Sequence, residues 1–123
     1  MIALSPRDKI EYTLREDRGG KSPTVFTLRP LTKQQVIEVE DIMSARETGK
    51  GMPFGSYTFA VLKAGLAGWR NMKDAKGEDV PFTTDGMGQV DDDLLLRFTI
   101  AQRGELADAI FGMANLTDED AKN

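Results

Sequence analysis

At Pro30 the hydrophobic pattern of this chain changes its period, and that change limits what the chain can build. Upstream, Ile10, Tyr12 and Leu14 alternate with Glu11, Thr13 and Arg15, the period-2 mark of a strand with one apolar face. The segment Glu16 to Pro23 is a polar turn whose glycines permit positive φ. A second strand follows from Thr24 to Arg29, with Val25 or Phe26 and Leu28 competing for the inward face. Pro30 ends it, because proline donates nothing to a strand ladder. Thr32-Lys33-Gln34-Gln35 then has the form of a capping box, the Thr hydroxyl meeting the N3 amide and Gln35 reaching back. Val36, Val39 and Met43 recur at helical spacing, with Ile37 and Ile42 widening the stripe. The expected fold is therefore α+β: an N-terminal antiparallel β-hairpin over residues 1–30, followed by three to four packed α-helices.

The later helices are less regular. Gly49 is a candidate C′ residue, and residues 49–55 read as a loop. Ser56 is the next N-cap candidate, opening a helix from Tyr57 to about Leu66 that is apolar nearly all round and so expected to be the most buried. Gly65 and Gly68 weaken it and suit a close backbone approach by a neighbour. Asp74 to Asp79 is a turn, and Val80-Pro81-Phe82 a short extended segment, since the residue before a proline is driven toward β. That segment is expected to join the sheet or lie across the helices. Asp91, Asp92 and Asp93 mark a helix start, where carboxylates suit the positive end of the dipole. Thr99-Ile100-Ala101-Gln102 is a second capping box, placed either between two helices or inside one long one. Leu106, Ile110 and Met113 form an apolar stripe, Leu116 to Asp120 reads as one more capped turn, and Ala121-Lys122-Asn123 as a frayed end. The expected organisation is one domain over residues 1–123, mainly helical over 31–116, with a tail at 117–123. No internal repeat and no low-complexity segment is found.

Composition narrows function. The 123 residues include no Cys and no His. Disulfides, thiolate nucleophiles and thiolate metal sites are excluded, as are the Ser-His triad and the commonest general base. An enzyme would have to work with Asp, Glu, Lys, Ser, Thr and Tyr alone, so the expectation is a protein without catalytic activity and without a cofactor. The net charge of −4 argues against a nucleic-acid partner, whose binders usually show a basic footprint. Charge is uneven: residues 1–30 carry a net +2 and residues 91–123 a net −5, an asymmetry compatible with a homo-oligomer but better explained as solvated surface, since exposed pairs stabilise little. The opening residues Met1 to Pro6 lack a signal-peptide core, and the run Ala64 to Trp69 is far short of the ~20 apolar residues a membrane span needs. A cytoplasmic protein without a membrane partner is expected.

Candidate chemical sites reduce to structural ones. Successive residues on a helix point ~100° apart, so Asp91, Asp92 and Asp93 do not converge on a cation and are better read as helix-capping residues. Asp74 to Asp79 places Lys76 where a calcium loop needs an oxygen ligand, so it is a tight turn. Gly49-Lys50-Gly51 lacks the Gly-Lys-Ser/Thr ending of a phosphate loop. Trp69 is the only tryptophan and the methionines number six; both residue types serve in cores and at contact surfaces.

The order of elements extends this reading. Phe26-Thr27-Leu28-Arg29-Pro30-Leu31-Thr32 leads into the acidic Glu38-Val39-Glu40-Asp41. Lys63-Ala64-Gly65-Leu66-Ala67-Gly68-Trp69 follows, then Asn71, Asp74, Gly77 and Val80-Pro81-Phe82. Glu105 to Ile110 and Leu116 to Asn123 close the chain. Over residues 24–123 this resembles the tail assembly chaperones of long-tailed bacteriophages and prophages. The resemblance implies a protein of the bacterial host cytoplasm that binds the long, hydrophobic tape measure protein and promotes assembly of tail tube protein around it. It brings no catalytic map. The residues expected to contact the partner are Met52, Phe54, Trp69 and Met72, apolar side chains in or beside loops. The alternative is a structural part of the particle, a minor tail or head–tail joining protein.

Overall fold

The computed structural model describes residues 9–47 and 54–122. They form an α+β fold, a three-stranded antiparallel sheet in the order β1-β2-β3 with four helices. β1 (Ile10–Tyr12) and β2 (Val25–Leu28) are the expected hairpin, with Ile10 opposite Leu28 and Tyr12 opposite Phe26. A 3-10 turn, Arg15–Asp17, lies in their connection. Phe26 and Leu28 are buried while Val25 and Thr27 are only half-buried. The larger apolar pair thus takes the core face; a one-residue slip would exchange the two sets.

α1 (Lys33–Glu47) starts at the first capping box, where the Gln35 amide donates to Thr32 Oγ1 at 3.2 Å and the Thr32 amide donates to Gln35 Oε1 at 2.8 Å. α2 (Phe54–Gly65) begins before Ser56, so Ser56 lies inside the helix and is not its N-cap. Phe54 and Gly55, expected in the loop 49–55, are instead the first residues of α2, while Gly49, Met52 and the others of that loop lie outside the described residues.

α2 passes without a loop into a third strand that the sequence pattern does not predict; only its first residue, Leu66, falls at the end of the expected helix. β3 (Leu66–Arg70) pairs antiparallel with β2, Phe26 opposite Trp69 and Thr27 opposite Gly68, with an irregularity at Thr27/Leu28. The helix can stop here because the end of β2 satisfies its last carbonyls. The Arg29 amide donates to Gly65 O at 2.9 Å, and Arg29 Nε to Ala64 O at 2.8 Å. Leu66, now in the strand, is still buried.

The second capping box divides the C-terminal region: α3 (Asp92–Leu95) precedes it and α4 (Ile100–Lys122) follows it. The Gln102 amide donates to Thr99 Oγ1 at 3.1 Å and the Thr99 amide to Gln102 Oε1 at 2.9 Å. The capped turn expected at Leu116–Asp120 and the tail beyond it are instead the last turns of α4, which runs to Lys122. No Gly or Pro interrupts residues 113–122, and each helical residue added there gains a backbone hydrogen bond. Val61, Leu62, Leu66, Leu95, Leu106 and Ile110 are fully buried where α2, β3, α3 and α4 meet.

Between β3 and α3 the chain makes two turns of one design, eleven positions apart, a short repeat that the sequence reading missed. Asp74 Oδ1 accepts from the Lys76 and Glu78 amides at 2.8 and 3.0 Å, and Asp85 Oδ1 from the Met87 and Gln89 amides at 2.8 and 3.1 Å. Gly77 and Gly88 follow each aspartate by three residues at φ +81° and +76°. Their amides donate to the Asp74 and Asp85 carbonyls, both at 3.0 Å. Asp-x-x-Gly with a helix-like turn closed by a left-handed glycine is a hairpin loop. The segment Val80-Pro81-Phe82 leaves the first of these turns and lies against Trp69 rather than extending the sheet.

Candidate functional site

Three elements build an aromatic wall around Trp69. β2 supplies Phe26, the chain after the first turn supplies Phe82, and the α3–α4 corner supplies Phe98. Trp69 meets all three edge to face, at ring-centroid distances of 6.2, 5.0 and 5.9 Å, the arrangement that the quadrupoles of aromatic rings favour. Its Nε1 donates to Val80 O at 2.8 Å, so the polar atom is satisfied while the ring stays half-buried. Arg103 fixes the corner that carries Phe98. Its guanidinium donates to Leu95 O and Phe98 O at 3.2 and 2.8 Å and lies 5.5 Å from the Phe59 ring centroid.

Against this wall opens a cleft of about 290 Å³. Phe26, Trp69, Met72, Val80, Leu94 and Phe98 give it an apolar interior, and Asp17, Lys73, Asp74, Arg97 and Gln102 surround it. The volume lies at the lower edge of the ~300–1,000 Å³ of small-molecule pockets, the size of one or two large side chains and too small for a dinucleotide. Of the residues expected to make contacts, Trp69 and Met72 are brought together here. Phe54 is the first residue of α2, about 16 Å along the helix axis from Gly65, where β3 takes over. Met52 lies outside the described residues. Phe26, Phe98, Asp17 and Arg97 were not singled out in the sequence, because their meeting depends on sheet register and on the α3–α4 corner.

The carboxylates also have structural employment. Asp91 makes no side-chain cap to α3; its carboxylate accepts from the Thr83 hydroxyl, while its carbonyl accepts from the Leu94 and Leu95 amides. Lys63 of α2 reaches Asp85 Oδ2 at 2.6 Å, Asp92 Oδ1 at 3.0 Å and Val90 O at 2.7 Å. It ties the second turn and the start of α3 to the core helix. The hydrogen bond from Asp85 raises the Lys63 ammonium above its ordinary value, against the opposing effect of burial. The Lys63 contact and the Met87 and Gln89 amides hold the Asp85 carboxyl below its own. On α4, burial pushes the Glu105 carboxyl up. The Tyr12 hydroxyl, donating at 2.6 Å, and the Arg15 amide, donating at 3.0 Å, outweigh it together with nearby arginine charge and leave it lowered. On the outer sheet face Arg70 grips Glu11 with both arms, at 2.6 and 3.2 Å.

Among the described residues, no group of three or more His, Cys, Asp or Glu is placed to hold a metal ion, and no helix is long and apolar enough to cross a membrane. Compared with known proteins, the chain matches no family model, no curated protein and no solved structure. Fold and cleft together define an α+β domain with an aromatic-walled cleft of side-chain size.

Proposed function

We propose that this chain is a non-enzymatic assembly chaperone of a long-tailed bacteriophage or prophage, acting in the host cytoplasm. It binds the hydrophobic tape measure protein, keeps it soluble and promotes growth of the tail tube around it. The observation that carries the reading is the cleft in which Trp69 and Met72 present apolar surface at the molecular boundary. Aromatic and methionine side chains suit a partner that offers apolar side chains in variable sequence, because an open aromatic wall and a flexible thioether adapt to different shapes. Phe54, the first residue of α2, and Met52 complete the proposed contact set. The acidic character of residues 91–123 keeps loaded copies apart by charge repulsion.

The test is co-expression with the longest helical protein encoded nearby, followed by composition analysis of finished particles. Recovery of that protein in the soluble fraction, with this chain absent from particles, is the expected result. Retention of this chain in particles at fixed stoichiometry assigns it instead to the tail or the head–tail joint as a structural part. No effect on solubility overturns the chaperone reading.

A further inference from the structure

We propose that the Trp69 cleft takes a single amphipathic helix of the partner by one large apolar side chain, and that Arg97 and Asp17 read an acidic and a basic residue flanking it; the inference rests on the chaperone reading above. The polar residues around the cleft divide into two groups. Lys73 is paired with Asp79, Asp74 Oδ1 accepts from the Lys76 and Glu78 amides, and Gln102 is bonded to Thr99 and Glu16. Among the described residues, Asp17 and Arg97 line the same cleft with no ion pair and no side-chain hydrogen bond.

Asp17 comes from the 3-10 turn after β1 and Arg97 from the residues following α3, so they stand on two different walls. Asp17 and Arg97 set charges of opposite sign beside one apolar slot, with Asp74 adding a second negative charge whose Oδ1 is held by backbone amides, and so complement a segment that carries both signs around an apolar residue. A uniformly basic or uniformly acidic segment places one of its charges against a like charge. A helix meets the requirement compactly, because residues four apart share a face. A central Leu with Glu on one side and Lys on the other, at four-residue spacing, presents the three groups together.

Trp69 is the only tryptophan, so its emission reports directly on the cleft. The probes are three helical peptides that differ only in the two flanks of a central Leu: Glu and Lys, Gln and Gln, or Lys and Lys. The Glu/Lys peptide is expected to shift Trp69 emission and to bind roughly two- to fivefold more tightly per charge than the Gln/Gln peptide, the range of exposed ion pairs. The advantage is expected to fade with added salt. Arg97→Gln and Asp17→Asn each remove one factor, and Arg97→Glu turns the preference toward the Lys/Lys peptide. Arg97 is exposed and Asp17 half-buried, and the Asp17→Asn change keeps the size of the side chain, so these variants are expected to keep the fold, which circular dichroism verifies.

Equal affinity for all three peptides overturns the charge readout. An emission unchanged by every peptide overturns the cleft as the docking site, as does an emission shift that follows protein concentration alone, which is self-association. If partner solubility is rescued while the peptides do not discriminate, this inference fails and the chaperone reading stands. Discrimination without rescue leaves the cleft and removes the chaperone.

Discussion

Gly65 and Ile110 touch across the α2–α4 contact so closely that a Cβ placed on Gly65 would lie 2.3 Å from Ile110 Cγ2. The two other Ile110 side-chain carbons nearest that point are at 3.0 and 3.1 Å. Ile110 is fully buried and cannot swing into solvent. At this point the helix-to-strand passage of α2 and the docking of α4 are one constraint.

Gly65→Ala therefore sets two effects against each other. Alanine gains up to about 1 kcal/mol of helix propensity over glycine. Overpacking a filled core costs about 1–3 kcal/mol, and an overlap this deep falls at the upper end. Net destabilisation of about 1–2 kcal/mol is expected in urea unfolding. Ile110→Ala alone costs about 2–5 kcal/mol. The double variant should lose less than the two singles added, because the space left at 110 receives the new methyl.

The two capping boxes are alike in geometry and far apart in the fold. Thr32→Ala and Thr99→Ala should each cost about 1 kcal/mol, and the pair should be additive within about 0.5 kcal/mol. Thr→Ser in either place keeps the hydroxyl and should restore most of the loss. Chemical denaturation of the two Ala variants, their double and the two Ser variants measures this.

The Lys63 clamp gives a pH signature at both ends of the scale. Asp85 has a lowered pKa when folded, so its contribution is present above the ordinary carboxylate value and is lost as pH falls through the lowered one. Lys63 has a raised pKa, so its contribution is complete below the ordinary lysine value and is lost as pH rises through the raised one. Between those limits the clamp gives a flat profile. Asp85→Asn retains an oxygen for the Met87 and Gln89 amides but not the ion pair. It should flatten the acid-side fall while hydrogen exchange at those amides stays slow. Asp85→Ala should speed that exchange.

Gly77 and Gly88 hold φ of +81° and +76°, with open space where a Cβ would stand. Alanine at either position meets backbone strain without a steric clash, worth about 1–2 kcal/mol. Asn, which tolerates the left-handed region, should cost less than Ala. Thermal unfolding of the Ala and Asn variants distinguishes strain from packing, since packing would penalise the larger Asn more.

What could be read from the sequence follows the range of the interaction. The hairpin and the starts of α1 and α4 rest on neighbours within a few positions, and Ile10–Leu14, Thr32–Gln35 and Thr99–Gln102 display them. β3 was hidden because Leu66 is apolar whether the chain is helix or strand, and only Arg29, thirty-five positions from Ala64, ends the helix there. Trp69 and Met72 stood out by residue type as contact candidates. Phe26, Phe98, Asp17 and Arg97 did not, since nothing local brings a strand, a turn and a helix corner around one cleft. The twin turns were legible in principle, as Asp74-Ala75-Lys76-Gly77 and Asp85-Gly86-Met87-Gly88, but an eleven-residue offset is too short to register as a fold-level repeat.

The proposed binding role separates two methionines that composition alone cannot rank. Met72 lines the Trp69 cleft, whereas Met87 is 83% exposed at the second turn and outside it. An exposed methionine is the more obvious sticky residue, yet a half-enclosed one loses more water on binding, and binding energy concentrates where water is excluded. Met72→Ala is expected to weaken partner capture by roughly fivefold or more, the mark of an interface residue worth over ~1 kcal/mol. Met87→Ala should leave it unchanged. Trp69→Phe keeps an aromatic ring but removes the donor to Val80 O, so it should loosen the 80–82 segment and weaken capture as well. Pull-down of the co-expressed partner, with unfolding midpoints recorded for each variant, checks all three. A Met87→Ala loss equal to that of Met72→Ala would move the contact surface from the cleft to the turn.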